Sequence, residues 1–175
     1  MTRARPRSPD DEHVSTGDPV QWSVSTGSAD ATRELGRLLG ELAQPGTVVL
    51  LSGELGAGKT VFAQGVGAGL STPGVVNSPT FVLVNEHLGG RLPLLHADLY
   101  RLSESSEVEE LALHEVALDG VLLVEWPERA PGMLPTDRII LRIENGEDPD
   151  QRSLLWSATG ACASAVLRGV RVRSR

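Results

Sequence analysis

Eight consecutive residues, Gly53-Glu54-Leu55-Gly56-Ala57-Gly58-Lys59-Thr60, satisfy the pattern G-x-x-x-x-G-K-[ST] at every fixed position. The chemistry such a stretch supports is the capture of a phosphate chain. Its three glycines let successive backbone N–H groups turn inward around an anion, which a Cβ at those positions would hinder. Lys59 supplies a mobile cation for β- and γ-phosphates, and the Thr60 hydroxyl is placed to ligate Mg²⁺. The competing explanation is a glycine-rich turn that matches by accident, since the chain has 19 glycines. Base composition argues against accident. The 16 basic residues are 15 arginines and one lysine, and that lysine is Lys59. A compact ammonium is what a site between phosphates requires, and arginine does not substitute for it freely.

A phosphate loop also needs a carboxylate that reaches the magnesium from a neighbouring strand. Val121-Leu122-Leu123-Val124-Glu125 provides one: an apolar strand that ends in an acid at its carboxyl end, where α/β sheets gather their ligands. The bland reading of Glu125 is a strand-terminal acid facing solvent. Trp126, next in the chain, either walls the site or packs. His96, Asp98 and Tyr100 fall at alternate positions and share one face of an extended strand, opposite Ala97 and Leu99. Asp98 is a candidate to orient an attacking water or hold a metal-bound water, with a structural hydrogen-bond acceptor as its alternative. A His-x-Asp zinc site is a rival reading, weakened because the chain has four histidines and no second cluster. In Ser78-Pro79-Thr80-Phe81, the Thr80 hydroxyl could approach the γ-phosphate or magnesium, or simply begin a strand.

The elements that must position these groups are legible in outline. Thr47–Leu51 reads as a buried strand leading into the loop, and Val61–Val66 begins a helix that closes near Gly69. Upstream, Trp22 and Val24 suggest a short first strand. Ser28 can cap a helix whose apolar face carries Leu35, Leu38, Leu39 and Leu42, and Pro45-Gly46 ends it. Thr80–Glu86 and Leu92–Leu99, separated by Leu88-Gly89-Gly90-Arg91, predict an antiparallel hairpin. Ser103–Leu113 predicts an acidic helix. Arg138–Ile143 and Ser153–Ala158, flanking Glu144–Asp150, predict a terminal hairpin. Residues 161–175 are expected to hold a short helix and then a basic tail with Arg168, Arg171, Arg173 and Arg175. The Pro-, Ser- and Asp-rich residues 1–19 read as a disordered tail, leaving residues 20–160 as one α/β domain with parallel and antiparallel pairs.

Bulk composition narrows the function. At 175 residues, with a net charge of −7 and a pI near 5.1, the chain is a poor candidate for gripping nucleic acid alone. Cys162 is alone, so no disulfide or cysteine metal site forms within one chain. The charged N-terminus lacks an apolar stretch, and no apolar run approaches the ~18 residues of a spanning helix. A soluble cytoplasmic protein with no membrane association is expected.

Four stretches together give the chain a family resemblance: Gly53–Thr60 (GELGAGKT), Ser78–Phe81 (SPTF), His96–Arg101 (HADLYR) and Val124–Pro127 (VEWP). In this order and spacing they resemble the TsaE family, the ATPase component of bacterial tRNA threonylcarbamoyladenosine synthesis, over about residues 24–160. The resemblance implies a P-loop NTPase fold: a central mixed β-sheet with flanking helices and an inserted antiparallel hairpin. It implies ATP and Mg²⁺ as cofactors, slow ATP hydrolysis, and TsaB and TsaD as partners that carry the tRNA modification itself. The contact with tRNA would then be indirect. Carried onto this chain, residues 53–60 bind the nucleotide, Thr60 and Glu125 serve the metal, Lys59, Thr80, Asp98 and Glu125 form the hydrolytic site, and Arg152 lies near the nucleotide. Val61 stands where many members repeat threonine, which leaves Thr60 as the ligand. Three other functions compete. A GTP switch reading guanine through Asn-Lys-x-Asp is closed, because that motif needs a lysine outside the loop. A small-molecule kinase would need an arginine-bearing lid; Arg101 and Arg129 are available, but no long lid is evident. A nucleotide-sensing scaffold, whose ATP state controls partner binding, stays open.

Overall fold

The computed structural model of the protein describes residues 19–79, 82–102, 113 and 118–175. Within them, seven strands form one sheet in the order β1-β7-β6-β2-β5-β4-β3. They are β1 (Val20–Thr26), β2 (Thr47–Ser52), β3 (Val84–His87), β4 (Leu94–Asp98), β5 (Val121–Glu125), β6 (Arg138–Asn145) and β7 (Arg152–Thr159). The central pairs β2–β5, β2–β6 and β4–β5 are parallel. The outer pairs β1–β7, β6–β7 and β3–β4 are antiparallel. Parallel strands need cover on both faces, and β2, β4 and β5 are accordingly buried almost throughout. Alternate residues of β2 enter two different cores: Val49 and Leu51 join one, Val48 and Leu50 the other. Helices α1 (Ala29–Leu42), α2 (Lys59–Gly69) and α3 (Ala161–Arg173) contribute to the first core.

Helix α1 starts as expected, with the Ser28 Oγ accepting the Ala31 N–H at 3.1 Å. The predicted hairpin forms from β3 and β4, but its first strand begins at Val84 rather than at residue 80. A turn intervenes: the N–H groups of Val82 and Leu83 both bond to the Pro79 carbonyl, at 3.0 and 2.9 Å, and Leu83 adopts a φ of 65°. The terminal hairpin β6–β7 pairs Ile139 with Ala158 and Ile143 with Leu154. Of the arginines expected in a basic tail, Arg168, Arg171 and Arg173 lie instead on α3, which runs through Arg173, and Arg175 follows it. Ala163, Val166, Leu167 and Val170 bury one face of that helix, and this face, not the arginine content, decides its structure. Gly160 offers no capping side chain, so Asp137 does the work from a distance. Its carboxylate accepts the N–H groups of Cys162 and Ala163 at 3.0 and 2.8 Å. The tail expected over residues 1–19, Thr80, and the acidic helix expected over Ser103–Leu113 lie outside the described residues, apart from residue 19 and Leu113, which is buried.

Helices α1 and α2 cross with their backbones nearly touching. A Cβ added to Gly36 would sit 2.3 Å from the Phe62 carbonyl oxygen, and one added to Gly65 would sit 2.0 Å from that of Arg33. Gly40 and Gly69 repeat the arrangement one turn further on. Since Lys59 and Thr60 open α2, this crossing sets where the phosphate loop stands against the sheet. Gly65→Leu should therefore cost about 3 kcal/mol or more, because backbone cannot yield as a side chain does. Chemical unfolding of the two proteins checks this; a wild-type midpoint in urea would contradict it.

Candidate functional site

Strand β2 ends at Ser52, and the chain must then reverse into α2 within six residues, 53–58. Three glycines make the turn possible: Gly53, Gly56 and Gly58 have φ values of 142°, 81° and 105°. Gly53 has a second constraint, since a Cβ there would meet the Ile143 carbonyl oxygen at 2.4 Å. Gly58 precedes α2 and makes no side-chain cap, which leaves the first-turn N–H groups and the positive end of the helix dipole to a ligand.

Lys59 is 5% exposed. Its Nζ donates to the carbonyls of Gly53 and Glu54, at 2.7 and 2.9 Å, and lies 4.3 Å from the centre of the Trp126 ring. Burial lowers its pKa below the ordinary lysine value, against the carboxylates of Glu125, Asp98 and Glu128, which raise it. The ammonium is thus held by weak dipolar partners and a π-face. Such a cation gains from the arrival of phosphate oxygens.

Parallel pairing places the two acids side by side. Leu51 and Asp98 are both in register with Glu125, on opposite sides of β5. Glu125 is 3% exposed, and its Oε1 accepts a hydrogen bond from His96 Nε2 at 2.8 Å. Asp98 accepts from the Ser78 hydroxyl at 2.8 Å and from the Tyr100 N–H at 3.0 Å. Trp126, in the left-handed region at φ 58°, turns the chain out of β5 and brings its ring against Tyr100. These groups surround a cavity of about 340 Å³, lined by Lys59, Thr60, Ser78, Asp98, Glu125 and Trp126 among others. The residues fit a magnesium-bound triphosphate. Among the described residues no group of three or more His, Cys, Asp or Glu is gathered to hold a metal by itself. A magnesium here would combine Thr60 and Glu125 with phosphate oxygens and water, as magnesium sites commonly do.

A family model described as "Threonylcarbamoyl adenosine biosynthesis protein TsaE" matches residues 26–154, a span that holds the loop, both acids and Arg152. The chain belongs to the TsaE family. It is 48% identical to the tRNA threonylcarbamoyladenosine biosynthesis protein TsaE of Streptomyces coelicolor over 124 residues, covering 68% of this chain and 84% of that one. The TsaE of Bacillus subtilis is 40% identical over 142 residues, covering 81% and 87%. Among solved structures, the chain resembles the crystal structure of Bacillus subtilis YdiB. That match has a TM-score of 0.76 and 30% identity, and covers 91% of this chain and 99% of the other. The TsaE-family fold is the expected α/β P-loop fold, with a mixed sheet and flanking helices.

In this TsaE-family chain the structure brings Lys59, Thr60, Asp98 and Glu125 to one cavity. Arg152 is brought to the loop but not to that cavity. Its Nε donates to the Ala57 carbonyl at 3.0 Å, and the side chain lines a separate recess of about 120 Å³ with Gly56, Thr32 and Asp150. Thr80 lies outside the described residues. Trp126, offered as wall or packing, lies over Lys59; two roles are not foreseen in the sequence, Ser78 as the donor to Asp98 and His96 as the partner of Glu125. The shared face of His96 and Asp98 was a visible signal; the strand they would meet was not. Among the described residues, no helix is long and apolar enough to cross a membrane.

Proposed function

We propose that this TsaE-family protein binds ATP with Mg²⁺ and hydrolyses it, and that this cycle serves the TsaB–TsaD complex that modifies tRNA. The observation that carries the reading is the single cavity shared by Lys59, Thr60, Asp98 and Glu125 at the open end of α2. Loop N–H groups and the helix end would cradle the phosphates, and Lys59 would leave its loop carbonyls to neutralise charge as the γ-phosphate departs. Magnesium, when bound, would withdraw charge from the β- and γ-oxygens. Thr60 and Glu125 would hold it. Asp98, fixed by Ser78 and Tyr100, would orient the attacking water. Partner binding at this mouth finds support in two exposed apolar side chains on the cavity rim, Leu55 and Tyr100. The chain's acidity favours a partner that supplies the basic surface for tRNA.

The test is ATP turnover by the purified protein, with and without TsaB and TsaD, across a magnesium titration. Magnesium-dependent hydrolysis raised by the partners supports the reading; absence of ATP binding at millimolar magnesium rejects it. Asp98→Asn should leave ATP affinity within about threefold while lowering turnover roughly 100-fold, the scale of one positioned proton-transfer group. Single-turnover hydrolysis at the wild-type rate would assign Asp98 a purely structural role.

A further inference from the structure

The His96 imidazole is fully buried on β4, and its Nε2 meets Glu125 Oε1 at 2.8 Å across the parallel pair β4–β5. A carboxylate oxygen only accepts, so the hydrogen lies on Nε2. The other ring nitrogen, Nδ1, is buried with no hydrogen-bond partner among the described residues. A buried polar atom left without a partner is costly, and an apolar residue at this position would avoid that cost. The arrangement is explained if Nε2 has a task that outweighs it. Glu125 itself is almost completely buried, at the end of β5 and on the wall of the cavity. With Oε1 held by the imidazole, the carboxylate has one oxygen to present to the cavity.

We infer that His96 is a positioning residue: it fixes the Glu125 carboxylate so that the cavity meets one oriented oxygen, and thereby sets the affinity of the nucleotide complex for magnesium. The inference rests on the proposed Mg–ATP reading and deepens it. Partners that orient a metal-binding carboxylate change metal affinity about 10- to 100-fold when removed. A residue that served only to fill the core would change folding stability without changing the metal response.

The test uses a fluorescent ATP analogue and a magnesium titration at fixed nucleotide, on the wild type, His96→Leu and His96→Gln. In EDTA all three should bind the analogue within about twofold of one another. With magnesium, His96→Leu should need roughly 10- to 100-fold more metal for half of the nucleotide response. His96→Gln, whose amide N–H can reach Oε1, should restore most of it. A folded His96→Leu with the wild-type metal requirement overturns the role of His96 alone. If that variant does not fold, His96→Phe, which keeps a buried ring but has no N–H to donate, decides: a rise of roughly 10-fold or more in the metal requirement supports the hydrogen bond, and a wild-type requirement overturns it. A wild type whose nucleotide binding ignores magnesium overturns the underlying reading instead.

Discussion

Lys59→Ala should lower ATP hydrolysis by about 30- to 1,000-fold, corresponding to about 2–4 kcal/mol of lost charge stabilisation. The expectation follows from where the ammonium sits. It is buried, drawn below its ordinary pKa by that burial, and tied to two carbonyls of its own loop at 2.7 and 2.9 Å. Those carbonyls are neutral partners, so phosphate oxygens would displace them with a gain in electrostatic energy. Alanine removes the side-chain cation from the loop, and the chain has no other lysine. The loop should survive the change, because its shape depends on Gly53, Gly56 and Gly58. Equilibrium binding and single-turnover rates check the prediction. Wild-type affinity together with wild-type turnover would remove Lys59 from the site.

Glu125→Gln should abolish most magnesium-dependent turnover, by roughly 100-fold or more, while leaving metal-free nucleotide binding close to wild type. The substitution is nearly isosteric, and the amide oxygen can still accept from His96 Nε2, so the strand end keeps its packing. What is lost is the negative charge in the cavity that Thr60 also lines. A loss of turnover with an unchanged metal requirement would place Glu125 in orientation of water instead of metal binding. Turnover that matches the wild type at every magnesium concentration would remove it from the site altogether.

The parts legible in the sequence share one physical property: they are local. The glycine loop, the Ser28 cap, the β3–β4 hairpin and the apolar strand ending in Glu125 each depend on residues within about a dozen positions of one another. The missed parts depend on which distant segments become neighbours. His96 and Glu125 are 29 residues apart, and their hydrogen bond exists only because β4 and β5 pair in parallel. Asp137 caps α3 from 25 residues upstream. Trp126 read equally well as wall or filler until its left-handed backbone brought the ring over Lys59. The glycines of α1 and α2 carry a local signal too: Gly36, Gly40, Gly65 and Gly69 repeat at a spacing that lets two helices meet without Cβ atoms at the crossing. The arginines near the C-terminus suggested a solvated tail, while the apolar spacing of Ala163, Val166 and Val170 specified a helix.

The backbone contact between α1 and α2 couples two regions that no ligand joins. Where Gly36, Gly40, Gly65 and Gly69 meet, no side chain stands between the backbones to absorb a displacement, so a tilt of α1 would be transmitted to α2 and to the loop that leads into it. Damage on the first helix, remote from any ligand, would therefore surface as weak affinity for a triphosphate before it surfaced as unfolding.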